Sequence, residues 1–82
     1  MKKVVLLDPA VAAMRKHRNM AERIAGKLTA YAENPASVAN QVTELRGQPF
    51  KRLRVGDFRV LFEETETEII VSDIGPRGSI YK

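Results

Sequence analysis

A β-hairpin signal in the middle of the chain is the feature that most constrains the fold. Residues 50–55 read FKRLRV, residues 58–63 read FRVLFE, and Gly56-Asp57 separates the two runs. Apolar and polar residues alternate along these runs, which is the spacing of strands with one buried face. A Gly-Asp pair between two such runs is a turn signal. The pattern therefore predicts antiparallel strands over Phe50–Val55 and Phe58–Glu63.

The same alternation sorts the cations of the hairpin into two groups. Lys51 falls on one face of the first strand, whereas Arg52 and Arg54 fall on the other. Arg59 joins these two arginines, because residues that flank a tight turn pair across the strands. Three neighbouring guanidinium groups repel one another unless an anion lies among them, so the pattern favours a phosphate-binding surface. The alternative is that Glu63, Glu66 or Glu68 neutralises the arginines across the sheet.

Two helices are predicted before the hairpin. Lys2–Leu7 is an apolar run that predicts a strand, and Asp8-Pro9 after it predicts a helix that ends near Lys16 or Arg18. Asn19 lies three residues before a Glu, which is capping-box spacing and predicts the start of the second helix. This helix ends at Asn34-Pro35, and four residues at helical spacing form its buried stripe: Met20, Ile24, Leu28 and Tyr31. We interpret the cations of both helices as a solvated surface.

The rest of the chain completes a layered α+β fold. Ala36–Glu44 is polar and predicts a connection with at most one helical turn, and Glu64–Thr67 predicts a turn. Glu68–Ile74 is rich in Ile and Val and predicts the last strand. The element order is β-α-α-β-β-β, a small antiparallel-rich sheet with a helical hairpin packed on one face. Residues 1–82 have room for a single domain.

Composition excludes several kinds of site. The 82 residues contain no cysteine and one histidine, His17, with a formal net charge of +4. Disulfides and thiolate metal sites are therefore impossible, and one histidine does not make a zinc site or a Ser–His–Asp triad. No metal or cofactor is expected. The longest apolar run near the start is too short for a signal peptide or a membrane span, so we expect no membrane association and a cytoplasmic location.

The end of the chain adds two residues suited to phosphate chemistry. Residues 75–81 read GPRGSIY, in which glycines close to Arg77 let the backbone approach a ligand and the Tyr81 phenol can donate or accept a proton. Cleavage of RNA by its own 2′-hydroxyl needs a base, stabilisation of the phosphorane charge and a proton for the 5′ oxygen. Arginine suits the second task, because it stays protonated at neutral pH. The residues alone leave the proton acceptor open.

These motifs together resemble the RelE/ParE superfamily of bacterial toxins. The resemblance rests on the order LRG-x-P, a basic strand, RVGDFRVLF, an acidic turn, a β-branched strand and IGPRGSIY, and it covers essentially the whole chain. Members are the toxin halves of type II toxin–antitoxin pairs. The RelE branch cleaves mRNA in the ribosomal A site, whereas the ParE branch inhibits DNA gyrase. The resemblance therefore implies a cognate antitoxin as partner, and either mRNA on the ribosome or DNA gyrase as target.

The resemblance also assigns roles to residues. By position, the catalytic set of RelE-like enzymes falls on Arg52, Arg59, Arg77 and Tyr81. We predict that the other cations of the basic window contact RNA; these are Arg46, Lys51 and Arg54. At the positions of Phe50 and Arg52 the best-known branch has lysines.

Three hypotheses follow. The favoured one is a metal-independent, ribosome-dependent endoribonuclease. The others are a gyrase inhibitor that acts by binding, and a degenerate toxin that only binds its antitoxin.

Overall fold

A five-stranded sheet with helices on one face forms the fold. The structure is a computed structural model that describes residues 1–78. Its strands are β1 (Lys3–Leu6), β2 (Val42–Glu44), β3 (Phe50–Val55), β4 (Phe58–Glu64) and β5 (Glu68–Pro76). Its helices are α1 (Asp8–Lys16), α2 (Arg18–Glu33) and a 3-10 helix (Pro35–Gln41).

The strands follow the spatial order β1-β5-β4-β3-β2. All neighbours pair antiparallel except β1 and β5, which are parallel. The helices connect β1 at one edge of the sheet to β2 at the other edge. The α+β class and the predicted meander are confirmed. The structure adds the short edge strand β2 and the 3-10 helix within the predicted polar connection. Strand β2 has three residues and pairs only with β3, so it is too short to show a strand pattern in the sequence.

The predicted stripe of α2 packs on the sheet, as expected. Met20, Ile24, Leu28 and Tyr31 are all buried. Opposite them, Phe62 is fully buried at the centre of β4, and its ring meets the Tyr31 ring edge to face at a centroid distance of 5.2 Å. Aromatic pairs prefer this arrangement because the positive ring edge faces the negative ring face. The core therefore lies between α2 and one face of the sheet, and no helix of residues 1–78 covers the other face.

The predicted start of α2 is wrong by one residue, and the predicted capping box does not form. The helix begins at Arg18, and His17 takes the cap position with no side-chain cap hydrogen bond. The His17 carbonyl accepts the backbone N–H of Met20 instead, at 2.9 Å. Because α1 ends only at Lys16, a single residue separates the helices and Asn19 is drawn into the helix. Within residues 1–78, no helix is long and apolar enough to cross a membrane.

Candidate nucleic-acid interface

The face of the β3–β4 hairpin that lies away from the helices carries three arginines. Arg54 and Arg59 are cross-strand partners, and Arg52 lies opposite Leu61. The buried residues of both strands point to the other face, as the alternation predicts. Residues directly opposite each other have Cβ atoms about 4.5–5.5 Å apart, so the Arg54 and Arg59 side chains leave the sheet side by side. We call Arg52, Arg54 and Arg59 the arginine face.

Arg59 is held in place by the hairpin turn. Its Nη1 donates to the carbonyl oxygens of Gly56, at 3.2 Å, and Phe58, at 3.0 Å. The turn has Gly56 at its first central position with φ +58°, a conformation that favours glycine. A guanidinium group has five donors, so those that the turn does not use remain for a ligand. The turn thus orients a cation and leaves it able to bind an anion.

The acidic residues that the structure describes do not neutralise Arg54 and Arg59. Within residues 1–78, no carboxylate forms a salt bridge with either of them. Two carboxylates share this face: Glu63 lies opposite Phe50, at the far end of the hairpin, and Asp73 of β5 lies opposite Leu61 and accepts the backbone N–H of Ile74 at 2.8 Å. Like charges directly opposite each other are destabilising, and a bound phosphate would remove that repulsion. The face is therefore suited to an anionic ligand.

The tail brings Arg77 to the same end of the hairpin. The backbone N–H of Arg77 donates to the carbonyl of Asp57 in the hairpin turn at 2.6 Å, and the residue is exposed. Arg46 is also exposed, but it precedes β3 and so lies at the opposite end of the strand. Tyr81 lies outside the described residues. The structure thus brings Arg77 close to the turn that holds Arg59, and Arg46 away from it.

Lys51 lies on the helix-covered face, as the alternation predicts, and it takes part in a different cluster there. Its Nζ donates to Glu64 at 2.8 Å and to the hydroxyl of Tyr31 at 3.3 Å. Glu64 also accepts hydrogen bonds from Lys2 Nζ at 2.7 Å and from the Tyr31 hydroxyl at 2.6 Å. We call Lys2, Tyr31, Lys51 and Glu64 the Glu64 cluster. It joins the start of the chain, α2, β3 and β4.

The electrostatics of the Glu64 cluster favour its charged form. Burial raises the pKa of Glu64, but hydrogen bonds from Lys2, Lys51 and Tyr31 outweigh burial and lower it to about 2. The hydrogen bond to Glu64 raises the pKa of Lys51. Burial and the hydrogen bond to Glu64 raise the pKa of Tyr31. Lys51 is therefore a poor proton acceptor near neutral pH. Sequence reasoning missed this cluster, although Glu64 continues the buried alternation of β4 and Tyr31 ends the buried stripe of α2.

Comparison with known protein families identifies the family to which the chain belongs. The model of the family described as "ParE toxin of type II toxin-antitoxin system, parDE" matches residues 4–81. The chain belongs to the ParE toxin family. As a member of this family and of the wider RelE/ParE superfamily, it is the toxin of a type II toxin–antitoxin system. The match spans the arginine face and the tail.

Solved structures with the same fold are RelE and YafQ toxins. RelE in the archaeal RelE–RelB complex from Pyrococcus horikoshii is 21% identical, with a TM-score of 0.77 over 95% of this chain and 97% of that one. The H87Q mutant of YafQ from E. coli is 12% identical, with a TM-score of 0.74 over 100% of both chains. The RelBE2 toxin–antitoxin complex from Mycobacterium tuberculosis gives 17% identity and a TM-score of 0.63 over 93% and 98%. A comparison with curated proteins found no match.

Proposed function

We propose that this ParE-family toxin cleaves mRNA on the ribosome by attack of the RNA's own 2′-hydroxyl. The observation that carries the proposal is the Arg54–Arg59 pair, two cationic side chains that leave an exposed sheet face side by side without a carboxylate among residues 1–78 to neutralise them. A phosphodiester is the anion that such a pair suits, because guanidinium groups bind phosphate oxygens with two parallel hydrogen bonds.

The reaction would use the arginines to stabilise charge. The 2′-hydroxyl loses its proton and its oxygen forms a bond to phosphorus, while the bond from phosphorus to the 5′ oxygen breaks. The 5′ oxygen takes up a proton, so the net proton transfer is from the 2′ to the 5′ oxygen, and the products are a 2′,3′-cyclic phosphate and a 5′-hydroxyl. Arg59 would bind the scissile phosphate and Arg77 would stabilise the negative charge of the phosphorane or the leaving oxygen. Arg52 belongs to the same set by resemblance, as does Tyr81, which would orient or transfer a proton. Arg54 would bind a neighbouring phosphate.

Inhibition of DNA gyrase by binding is the second candidate. It is favoured by the match to the ParE model and by the position of Lys51, the one lysine of the described strands β2–β5, which lies on the opposite face in a salt bridge. A toxin that acts by binding needs the arginine face but no proton acceptor. A test of the function must therefore distinguish RNA cleavage from binding to gyrase.

A cognate antitoxin is the partner that we propose in either case. Three of the solved structures of similar fold hold toxins with antitoxins, including the E. coli DinJ–YafQ complex. We expect the antitoxin segment that covers the arginine face to carry carboxylates, because these would neutralise Arg54 and Arg59 and block access of phosphates. The neighbouring reading frame is expected to encode a small acidic protein.

Primer extension on translated mRNA after toxin induction tests the proposal. We expect new 5′ ends within codons for the wild type, and their loss in Arg77→Ala and Tyr81→Phe. Arg15→Ala, which removes an exposed cation of α1 away from the arginine face, is the matched control and should cleave normally. Growth arrest with intact transcripts and an induced SOS response would instead identify gyrase as the target. No growth arrest with any variant, at normal protein levels, would identify a toxin that only binds its antitoxin.

A further inference from the structure

A fourth arginine reaches the hairpin turn from the helical layer. A Cβ atom placed on Gly56 would lie 3.5 Å from Nη2 and 3.7 Å from Nη1 of Arg23, and 3.8 Å from Cε of Met20. The guanidinium group of Arg23 therefore lies against the turn. We interpreted Arg23 from the sequence as part of a solvated helix surface, and nothing in the local pattern distinguishes it from the other cations of α2.

The same glycine is contacted by two arginines from different elements. Arg59 of β4 donates to the Gly56 carbonyl at 3.2 Å, while the Arg23 guanidinium group of α2 lies next to the position that a Cβ of Gly56 would occupy. Arg77 joins the next residue of the turn through the 2.6 Å backbone hydrogen bond to Asp57. The hairpin tip thus collects cations from α2, from the sheet and from the tail. Because Gly56 has no side chain, this residue does not block a ligand from the two guanidinium groups.

Arg23 keeps most of its hydrogen-bonding capacity. Its side-chain hydrogen bond within residues 1–78 is from Nη1 to the sulfur of Met20, at 3.9 Å. A thioether is a weak acceptor, and no carboxylate in this part of the chain forms a salt bridge with Arg23. Packing on Met20 and the turn orients the group, and because Arg23 is exposed its remaining donors are open to solvent beside the turn that Arg59 also contacts. An oriented guanidinium group with free donors is suited to a phosphate.

We propose that the hairpin tip is a second phosphate-binding position, in which Arg23 and Arg59 bracket Gly56. Single-stranded RNA would run along the arginine face, pass over Gly56 and continue toward the start of α2. Arg59 would contact the phosphate at the reacting centre, and Arg23 would contact a phosphate further along the same strand. This inference rests on the proposed function, because it requires the ligand to be RNA. It assigns Arg23 to binding and not to the chemical step.

The salt dependence of RNA binding tests this assignment. The ligand is a short 2′-O-methyl RNA oligonucleotide, which binds without being cleaved, and fluorescence anisotropy gives its Kd over a series of salt concentrations. Each phosphate contact in a single strand contributes about 0.7 to the slope of log K against log salt. We expect Arg23→Gln and Arg59→Gln each to reduce the slope by about this amount. Arg23→Lys should keep the slope and weaken binding, because it keeps the charge but loses the paired donors.

Arg15→Gln is the matched control, since it removes the same charge from the exposed surface of α1. If Arg23→Gln behaves like Arg15→Gln while Arg59→Gln reduces the slope, the inference is wrong and the proposed function stands. If the wild type does not bind the oligonucleotide even at low salt, the inference is wrong, whereas the proposed function is tested separately by primer extension on translated mRNA. Far-UV circular dichroism separates a local loss from unfolding, and an unfolded Arg23→Gln together with an unaffected Arg23→Lys would show that Arg23 acts in packing and would overturn the inference.

Discussion

The ammonium group of Lys51 and the carboxylate of Glu64 lie 2.8 Å apart on the helix-covered face of the sheet. Glu64 is 13% exposed and Lys51 is 29% exposed, so the pair is partly shielded from water. The contact keeps Lys51 away from the arginine face and makes Glu64 the acceptor that joins four separate parts of the chain.

Replacing Glu64 should therefore lower stability. Glu64→Gln removes the charge that two lysines share, and we expect a loss of about 1–2 kcal/mol in the free energy of unfolding, since hydrogen bonds to charged groups are the stronger ones. Urea denaturation measures this loss. Glu66→Gln, in the exposed turn after β4, is the control and should change stability little. An equal effect of both substitutions would mean that net charge, not the cluster, is responsible.

The same carboxylate should make stability depend on pH in the acid range. The folded state lowers the pKa of Glu64 from its ordinary value of 4.5 to about 2. The stabilisation is fully present above the unfolded-state value and is lost as pH falls through the window between 4.5 and about 2. Unfolding curves at a series of acidic pH values should show a decline in this window, and Glu64→Gln should make it shallower. An unchanged decline in the variant would contradict the role of Glu64.

Arg59→Ala should abolish toxicity without unfolding the domain. The side chain contributes two hydrogen bonds to turn carbonyls at the exposed end of the hairpin, so the fold should survive its loss. Growth assays after induction measure toxicity, and circular dichroism of the purified variant tests folding. An unfolded variant would show that Arg59 is required by the structure and that its role in binding must be tested with Arg59→Lys.

Removing one charge from the Arg54–Arg59 pair should stabilise the protein while weakening its function. We expect Arg54→Gln to raise the free energy of unfolding by about 0.2–1 kcal/mol at low salt, because it removes repulsion between directly opposed residues. The gain should shrink at high salt, where exposed charges are screened. Urea denaturation at two salt concentrations measures both effects. Arg46→Gln, a substitution outside the pair, is the control; an equal gain there would indicate a general effect of net charge.

The hairpin turn should be sensitive to a side chain at Gly56. This residue has φ +58°, where residues with a Cβ are strained, and we expect Gly56→Ala to cost about 1–2 kcal/mol. Gly26→Ala is a matched comparison within α2, with no atom within 4 Å of the added Cβ. It should stabilise by about 0.5–1 kcal/mol, because alanine favours a helix over glycine. Thermal unfolding of both variants measures the two opposite shifts, and a stabilising Gly56→Ala would contradict the positive φ.

The contrast between Arg54 and Lys51 shows how much of the site can be predicted. Alternation over a few residues assigns each side chain to a face, so the arginine face and the exclusion of Lys51 from it were both predictable. The helical stripe that ends at Tyr31 was predictable for the same reason. Such patterns depend only on the geometry of one strand or one helix. A strand of three residues such as β2 is too short to show them.

The sequence by itself thus determined the hairpin, its two faces, the α+β class and the family. Tertiary structure alone decided which charged groups meet. Lys2 meets Glu64 across 62 residues, Tyr31 meets it across 33, and Arg23 reaches Gly56 in a turn far along the chain. The Lys2 contact depends on the pairing of β1 with β5 and of β5 with β4. The Tyr31 and Arg23 contacts depend on how α2 lies over the sheet, which is set by the packing of the whole core and not by any local period.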